Sequence, residues 1–322
     1  MNSATSAVIA GGTIAIDHVK TPDSEGANLL GGSAAYASLA ASFFAPEVHL
    51  VGIVGKDFPA EHLAMLEGRG VGLAGVERSQ GDSFTWSGEY LENLNERVTH
   101  RVGLNVLEDW QVKVPDSIAE CAVVVLANMS PDNQLQMLAQ CRAKNRFVIA
   151  DTMDLWIEIA NERLHEVLQE LDLFVINEGE ARDFAGTSNL IEAGRILLSK
   201  GPRFVVIKLG EFGAMLFAAN GQTIGGSDSV PCPETFFRCA AFPLRGIQDP
   251  TGAGDSFLGG LAGYLAAHAG GDFSFDHIRQ AVAHGSVVAS FTCEAFSTRR
   301  LEQIGAEDVE ARLAAFRKMT AW

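Results

Sequence analysis

Short apolar runs recur along this chain with helical segments between them, and that alternation constrains the fold more than any other feature. Ser6–Ala10, Val48–Ile53, Ala122–Leu126, Phe147–Ala150, Leu173–Ile176 and Phe204–Ile207 are apolar at nearly every position. Strands that read this way are buried on both faces, as in a parallel sheet with helices on each side. Helical patterns fall at Ser33–Phe44, Pro59–Glu67, Asp132–Ala143, Leu155–Leu171 and Leu190–Ser199. After Thr251 the pattern is mainly helical: Ala253–His268, Asp276–Phe291 and Ala306–Lys318. The expected fold class is α/β, three layers around a mostly parallel central sheet.

Two stretches break the alternation. Phe84–Gly103 alternates polar and apolar residues without a helical period, and Thr13–Asn28 is similar and rich in turn formers. Both read as antiparallel strands wet on one face. They predict a small β-sheet lid, formed by about 13–30 and 84–103, on one domain spanning 1–322, since no low-complexity linker or internal repeat divides the chain.

Composition excludes some partners. Lys and Arg number 24 and Asp and Glu 40, for a net charge of −16 over 322 residues. That field repels phosphate backbones and anionic lipid, so neither nucleic acid nor a membrane is an expected partner. The five cysteines (Cys121, Cys141, Cys232, Cys239 and Cys293) are scattered, with no CxxC pair. Reduced thiols in a cytoplasmic protein are expected. The N-terminus has neither the basic region nor the apolar core of a secretory signal.

The segment Asp249-Pro250-Thr251-Gly252-Ala253-Gly254-Asp255-Ser256-Phe257 carries the strongest chemistry. Gly252, Ala253 and Gly254 let backbone approach a ligand closely. Their N–H groups open a helix, where the dipole also favours an anion. A phosphate fits there without net positive charge, and Asp255 beside it is placed to take a proton from an attacking hydroxyl. A Gly-rich helix start with an N-cap Asp is the plainer alternative. Asp17 closes an early strand, where ligands of α/β proteins collect, although position alone equally allows a surface turn. Gly31 and Gly32 suit either close backbone contact with a substrate or a helix-entry turn. Asn177 and Glu180, three apart after a strand, share a face. They offer hard oxygens of the kind Mg²⁺ takes, or a helix cap. GxxxxGK[ST], GxGxxG after a strand, HExxH and GxSxG are all missing from the sequence.

Taken together these segments resemble the ribokinase-type (PfkB) carbohydrate and nucleoside kinases. The signature TGAGDSF, preceded by Asp, is accompanied in family order by Gly11–Asp17, the pair Gly31-Gly32 with the helix after it, and Val51–Asp57. Asn177-Glu178-Gly179-Glu180 matches the N-x-x-E motif, and Lys208-Leu209-Gly210-Glu211-Phe212-Gly213 the nucleotide loop. The resemblance implies a ribokinase-like fold and transfer of the γ-phosphoryl group of ATP to a hydroxymethyl group of a small sugar. A nucleoside acceptor is the alternative, and a non-catalytic nucleotide- or sugar-binding protein a remote one. It assigns Asp255 as base, with Gly252, Ala253 and Gly254 stabilising the transferred group. Asp17, Gly31, Gly32 and Tyr36 fall to the acceptor, Lys208, Gly210, Gly213 and Thr251 to the nucleotide, and Asn177 and Glu180 to the Mg²⁺–phosphate region. Asp249 and Thr251 lie where relatives hold a monovalent cation such as K⁺, but Ala295 stands where the matching loop carries Gly. Two further departures are Pro250 within the signature and Tyr36 where many sugar kinases have Asn. The second weakens a simple ribose contact and offers an aromatic ring for a base. Family lids often pair between subunits, which implies a homodimer through the lid.

Overall fold

The computed structural model describes residues 5–219, 235–268 and 273–321; Cys232 lies outside them. Nine strands form the central sheet: β1 (Thr5–Gly11), β4 (Glu47–Val54), β5 (Val71–Arg78), β8 (Cys121–Leu126), β9 (Phe147–Asp151), β10 (Leu173–Asn177), β11 (Phe204–Lys208), β12 (Ala214–Ala218) and β13 (Thr235–Cys239). Their order is β13-β12-β11-β10-β9-β8-β1-β4-β5. The strands from β11 to β5 run parallel, and β12 and β13 return antiparallel at one edge.

Period-two alternation sends successive residues to opposite faces. Val123 and Val125, with Ile149, Val175 and Val206, enter one core, whereas Val124, Leu126, Val148, Phe174, Ile176 and Ile207 enter the other. Helices α1 (Ser33–Ala41), α8 (Ala253–Ala267), α9 (Phe275–Thr292), α10 (Arg299–Gln303) and α11 (Ala306–Thr320) contribute to the first core. Helices α3 (Pro131–Gln140), α5 (Asn161–Gln169), α6 (Glu178–Ala185) and α7 (Leu190–Leu198) contribute to the second. This is the three-layer arrangement expected from the alternation.

The lid is a separate mixed sheet of β2 (Ala15–Lys20), β3 (Glu25–Gly31), β6 (Phe84–Tyr90) and β7 (Arg97–Gly103), in the order β3-β2-β6-β7. Its two hairpins are antiparallel and are joined by a parallel β2–β6 pair. Two helical expectations change in detail. Leu155–Leu171 is two helices, α4 (Asp154–Ile159) and α5, because Ala160 leaves helical geometry at φ −134°. The helix beginning at Ser33 stops at Ala41, short of Phe44. The short helix α2 (Ala60–Gly68) matches its expected span closely.

Candidate active site

The parallel strands deliver their last residues to one end of the sheet, the usual place for ligands in open α/β folds. Asp151 ends β9, Asn177 ends β10 and Lys208 ends β11, with Asn177 and Lys208 directly paired. The start of α8 arrives from the other side of the sheet, and the lid closes above.

Gly252 caps α8 in the left-handed region at φ +76°. A Cβ there would lie 2.4 Å from the Tyr36 ring. Ring and glycine therefore pack face against backbone. Asp249, fully buried, anchors the loop: Oδ1 accepts the Thr251 N–H at 2.9 Å and Oδ2 accepts the Ser297 N–H at 3.2 Å. This carboxylate thus ties the anion loop to the segment Ala289–Ser297, and the Gln248 N–H, donated to the Cys293 carbonyl, adds a second tie. Pro250 sits inside this staple and leaves the helix start intact.

Lys208 reaches the same loop. A Cβ added at Gly254 would come within 3.0 Å of its Nζ. The lysine therefore lies against the first turn of α8, whereas Gly210 and Gly213 frame a separate 3₁₀ turn one step along. Burial raises the Asp255 carboxyl above its ordinary range, and Lys208 and then Arg97 draw it back. Asp255 is consequently a stronger base than an exposed aspartate. Asp151 joins the site without belonging to any of the sequence motifs. Its carboxyl is held well above the ordinary value by burial and drawn down by Lys208, and its Oδ1 has no hydrogen-bond partner. Its signal in the sequence is a carboxylate closing the apolar strand FVIAD.

Asn177 and Glu180 form a reciprocal cap on α6. The Glu180 N–H donates to Asn177 Oδ1 and the Asn177 N–H to Glu180 Oε2, both at 2.9 Å. The capping arrangement is therefore present, and it leaves Glu180 Oε1 outside the cap. Among the described residues no group of three His, Cys, Asp or Glu side chains could hold a metal alone. Mg²⁺ keeps several waters and shares its sphere with phosphate, and the orphaned Asp151 Oδ1 with the remaining Glu180 oxygen suits that.

On the acceptor side, Asp17 is buried in β2 and its Oδ1 has no partner. Burial, then Asp249 and Asp255, push its carboxyl up to about 8. Gly31 makes room for it, because a Cβ there would lie 2.0 Å from Asp17 Oδ2. Gly32, at φ +95°, turns β3 into α1 with Thr13 O against it. The glycine pair thus packs against Asp17 and the Thr13 backbone. Tyr36 corrects an expectation: it is 1% exposed beneath Gly252, so its ring has no open face for a base.

The lid contributes an apolar cluster next to Asp17: Val19, Leu29 and Tyr90 pack with Phe296, and Trp86 and Leu94 border them. Its tip reaches the nucleotide turn, where Asn95 Nδ2 donates to Glu211 Oε1 at 3.5 Å.

Residues 12–304 match the pfkB family of carbohydrate kinases. The chain belongs to this family. The family gives it, at the coarse level, phosphotransfer to a small molecule. A cytidine kinase from Thermococcus kodakarensis is 29% identical over 260 residues, covering 79% of this chain and 86% of that protein. A nucleoside kinase from Methanocaldococcus jannaschii has a similar fold, with a TM-score of 0.73 at 16% identity, over 98% of this chain and 100% of the other. A ribokinase-type protein from E. coli, solved in complex with ATP and Mg²⁺, has a TM-score of 0.75 at 17% identity, over 96% and 99% of the two chains.

Proposed function

We propose that this PfkB-family protein is an ATP- and Mg²⁺-dependent nucleoside kinase that phosphorylates the hydroxymethyl group of the ribose. The observation that carries the acceptor reading is the buried Asp17 with the apolar lid cluster beside it. A buried carboxyl with an unpartnered oxygen suits vicinal ribose hydroxyls, and the half-buried Trp86 ring, bordering the cluster of Val19, Leu29, Tyr90 and Phe296, suits a base. A free pentose has no group to set against that cluster. The identity with a cytidine kinase over most of the chain supports the same reading.

Asp17 orients the acceptor, its carboxyl accepting from one ribose hydroxyl and, while it holds its proton, donating to the other. Asp255 takes the proton from the attacking hydroxyl. The N–H groups of Gly252–Gly254, with Lys208, hold the charge that develops on the transferred phosphoryl, in place before the reaction begins. Mg²⁺, when bound, neutralises phosphate charge, and Asp151 and Glu180 are the residues that would hold it with its waters. The lid excludes water that would otherwise hydrolyse ATP.

The test is a panel of nucleosides and free sugars assayed for ATP consumption and thermal stabilisation. A nucleoside is expected to lead in kcat/KM by at least ~100-fold, the discrimination that unpaired contacts can supply. At 100 Kd it should stabilise the fold by about 2.7 kcal/mol. A free sugar turned over best would overturn the nucleoside reading, and ATP binding without transfer to any acceptor would overturn the kinase reading. The monovalent site is proposed at the Asp249–Thr251 loop: rates are expected to be higher in KCl than in NaCl, and equal rates remove that part.

A further inference from the structure

The described cations that bear on Asp255 and Glu180 are Lys208, from the sheet, and Arg97, from the lid. Arg97 is the first residue of β7 and pairs across the hairpin with Tyr90. Tyr90 is buried in the apolar cluster with Phe296, which fixes the base of the hairpin tip over the anion loop. The other side of the tip is held by Asn95 on Glu211, and Asn95 Oδ1 would lie 3.6 Å from a Cβ at Gly210. The tip therefore spans from the apolar cluster to the nucleotide turn, with Arg97 at its base. Arg97 is exposed, and its guanidinium meets the hydroxyl of its cross-strand partner Tyr90. Its charge nonetheless acts on carboxylates contributed by α8 and α6. Tyr90, which meets both Thr251 of the anion loop and Arg97, holds the guanidinium on the side of the hairpin next to that loop.

We infer that Arg97 is a further catalytic residue, a lid-borne guanidinium that contacts the phosphoryl group in transit between nucleotide and acceptor. The inference rests on the kinase reading above. In the step it serves, the bond from the γ-phosphorus to the β–γ bridging oxygen breaks and a bond from phosphorus to the acceptor oxygen forms. The hydroxyl proton passes to Asp255, and ADP leaves with the electron pair of the broken bond. Negative charge spreads over the three equatorial oxygens during this exchange, and a planar fork of N–H donors matches them. Lys208 and the backbone N–H groups approach from below and Arg97 from above. A lid residue has the further property that its charge is complete only when the lid is shut, which couples transfer to water exclusion.

The test compares wild type with Arg97→Ala and Arg97→Lys, using whichever acceptor the wild type turns over best. A sugar acceptor would thus refute the nucleoside reading and leave this test standing. For Arg97→Ala, kcat is expected to fall at least ~100-fold, below the range of ~10³–10⁵ for an arginine finger because Lys208 remains. Acceptor KM should stay within about 3-fold, and added guanidinium should restore part of kcat, as should Arg97→Lys. Calorimetry supplies a readout apart from turnover: affinity for ADP with aluminium fluoride should fall at least ~10-fold while affinity for ADP alone is unchanged, as expected of a contact made mainly in the transition state. An unchanged kcat, a raised acceptor KM at unchanged kcat, or retained affinity for the aluminium fluoride complex would each overturn the inference.

Discussion

Asp17 and Asp255 are both aspartates in the same site, yet burial gives them different consequences. Asp17 holds its proton up to about pH 8, whereas in the unfolded chain it ionises near the ordinary value of 3.8. Between those values the folded state binds more protons than the unfolded state, so this residue makes stability fall as pH rises through the window. Asp17→Asn removes the titration. It is expected to raise stability by a few kcal/mol near pH 8 and by almost nothing near pH 4, about one pK unit being worth ~1.4 kcal/mol. Denaturant melts at the two pH values check this; an equal shift at both would contradict it. The same variant should lose acceptor affinity, so the buried carboxyl is retained at a cost to the fold. Asp255→Asn is expected to lower kcat by at least ~100-fold through loss of the base, with nucleotide affinity and Tm nearly unchanged. Steady-state kinetics beside calorimetry separate the two effects, and unimpaired turnover would exclude the base role. Asp255 stands out in the sequence because it opens a recognisable helix; Asp17 stands out through its motif, although it lies within lid strand β2 and not at the strand end expected of it. Asp151 ends strand β9, but no motif flanks it. Arg97 carries no local signal at all, since its place beside Tyr90 depends on how β6 and β7 pair.

At the scale of elements, the anion loop depends on one left-handed residue and the ring beneath it. Gly252→Ala imposes both an unfavourable φ and a Cβ 2.4 Å from Tyr36, which is itself fully enclosed and has nowhere to move. Destabilisation of roughly 3 kcal/mol is expected, from ~1–3 kcal/mol for strain together with overpacking. A calorimetric melt checks it, and a Tm equal to wild type would show that the loop can rearrange. This dependence also explains why Tyr36 differs from the sugar-kinase Asn: it fills the space under the loop. The strands fully buried on both faces are plain in the sequence because their apolar runs are unbroken. β5 is hidden by Gly72 and Gly75, which interrupt the run VGLAGVER, and α6 by having a single buried residue, Ala181. The break at Ala160 leaves no trace in the periodicity because Leu164, Val167 and Leu168 continue an apolar stripe of their own.

For the whole molecule, the lid sheet poses the remaining question of assembly. Val102 pairs with Trp86, and Trp86 pairs with Asp17, so the three share the lid face that closes on the site. Yet Val102 is 50% exposed and Leu104, just beyond the strand, 49% exposed. The lid therefore overhangs the body of the protein, and part of its inner face is left uncovered. We propose that a second copy of the chain covers that overhang, which would account for exposed apolar side chains in a protein otherwise as acidic as this one. The edge strand β7 is irregular where Thr99 and Arg101 pair with neighbouring residues of β6 and His100 is skipped. Such a bulge disfavours continuous pairing of edges between copies. Contact through the face is thus expected, with burial of apolar area contributing about 25 cal/mol per Å². Sedimentation at micromolar concentration should give a dimer for the wild type, and Val102→Glu should shift it to monomer while leaving the melting profile of the central sheet in place. A monomeric wild type, or a Val102→Glu protein that still dimerises, would place the assembly surface elsewhere.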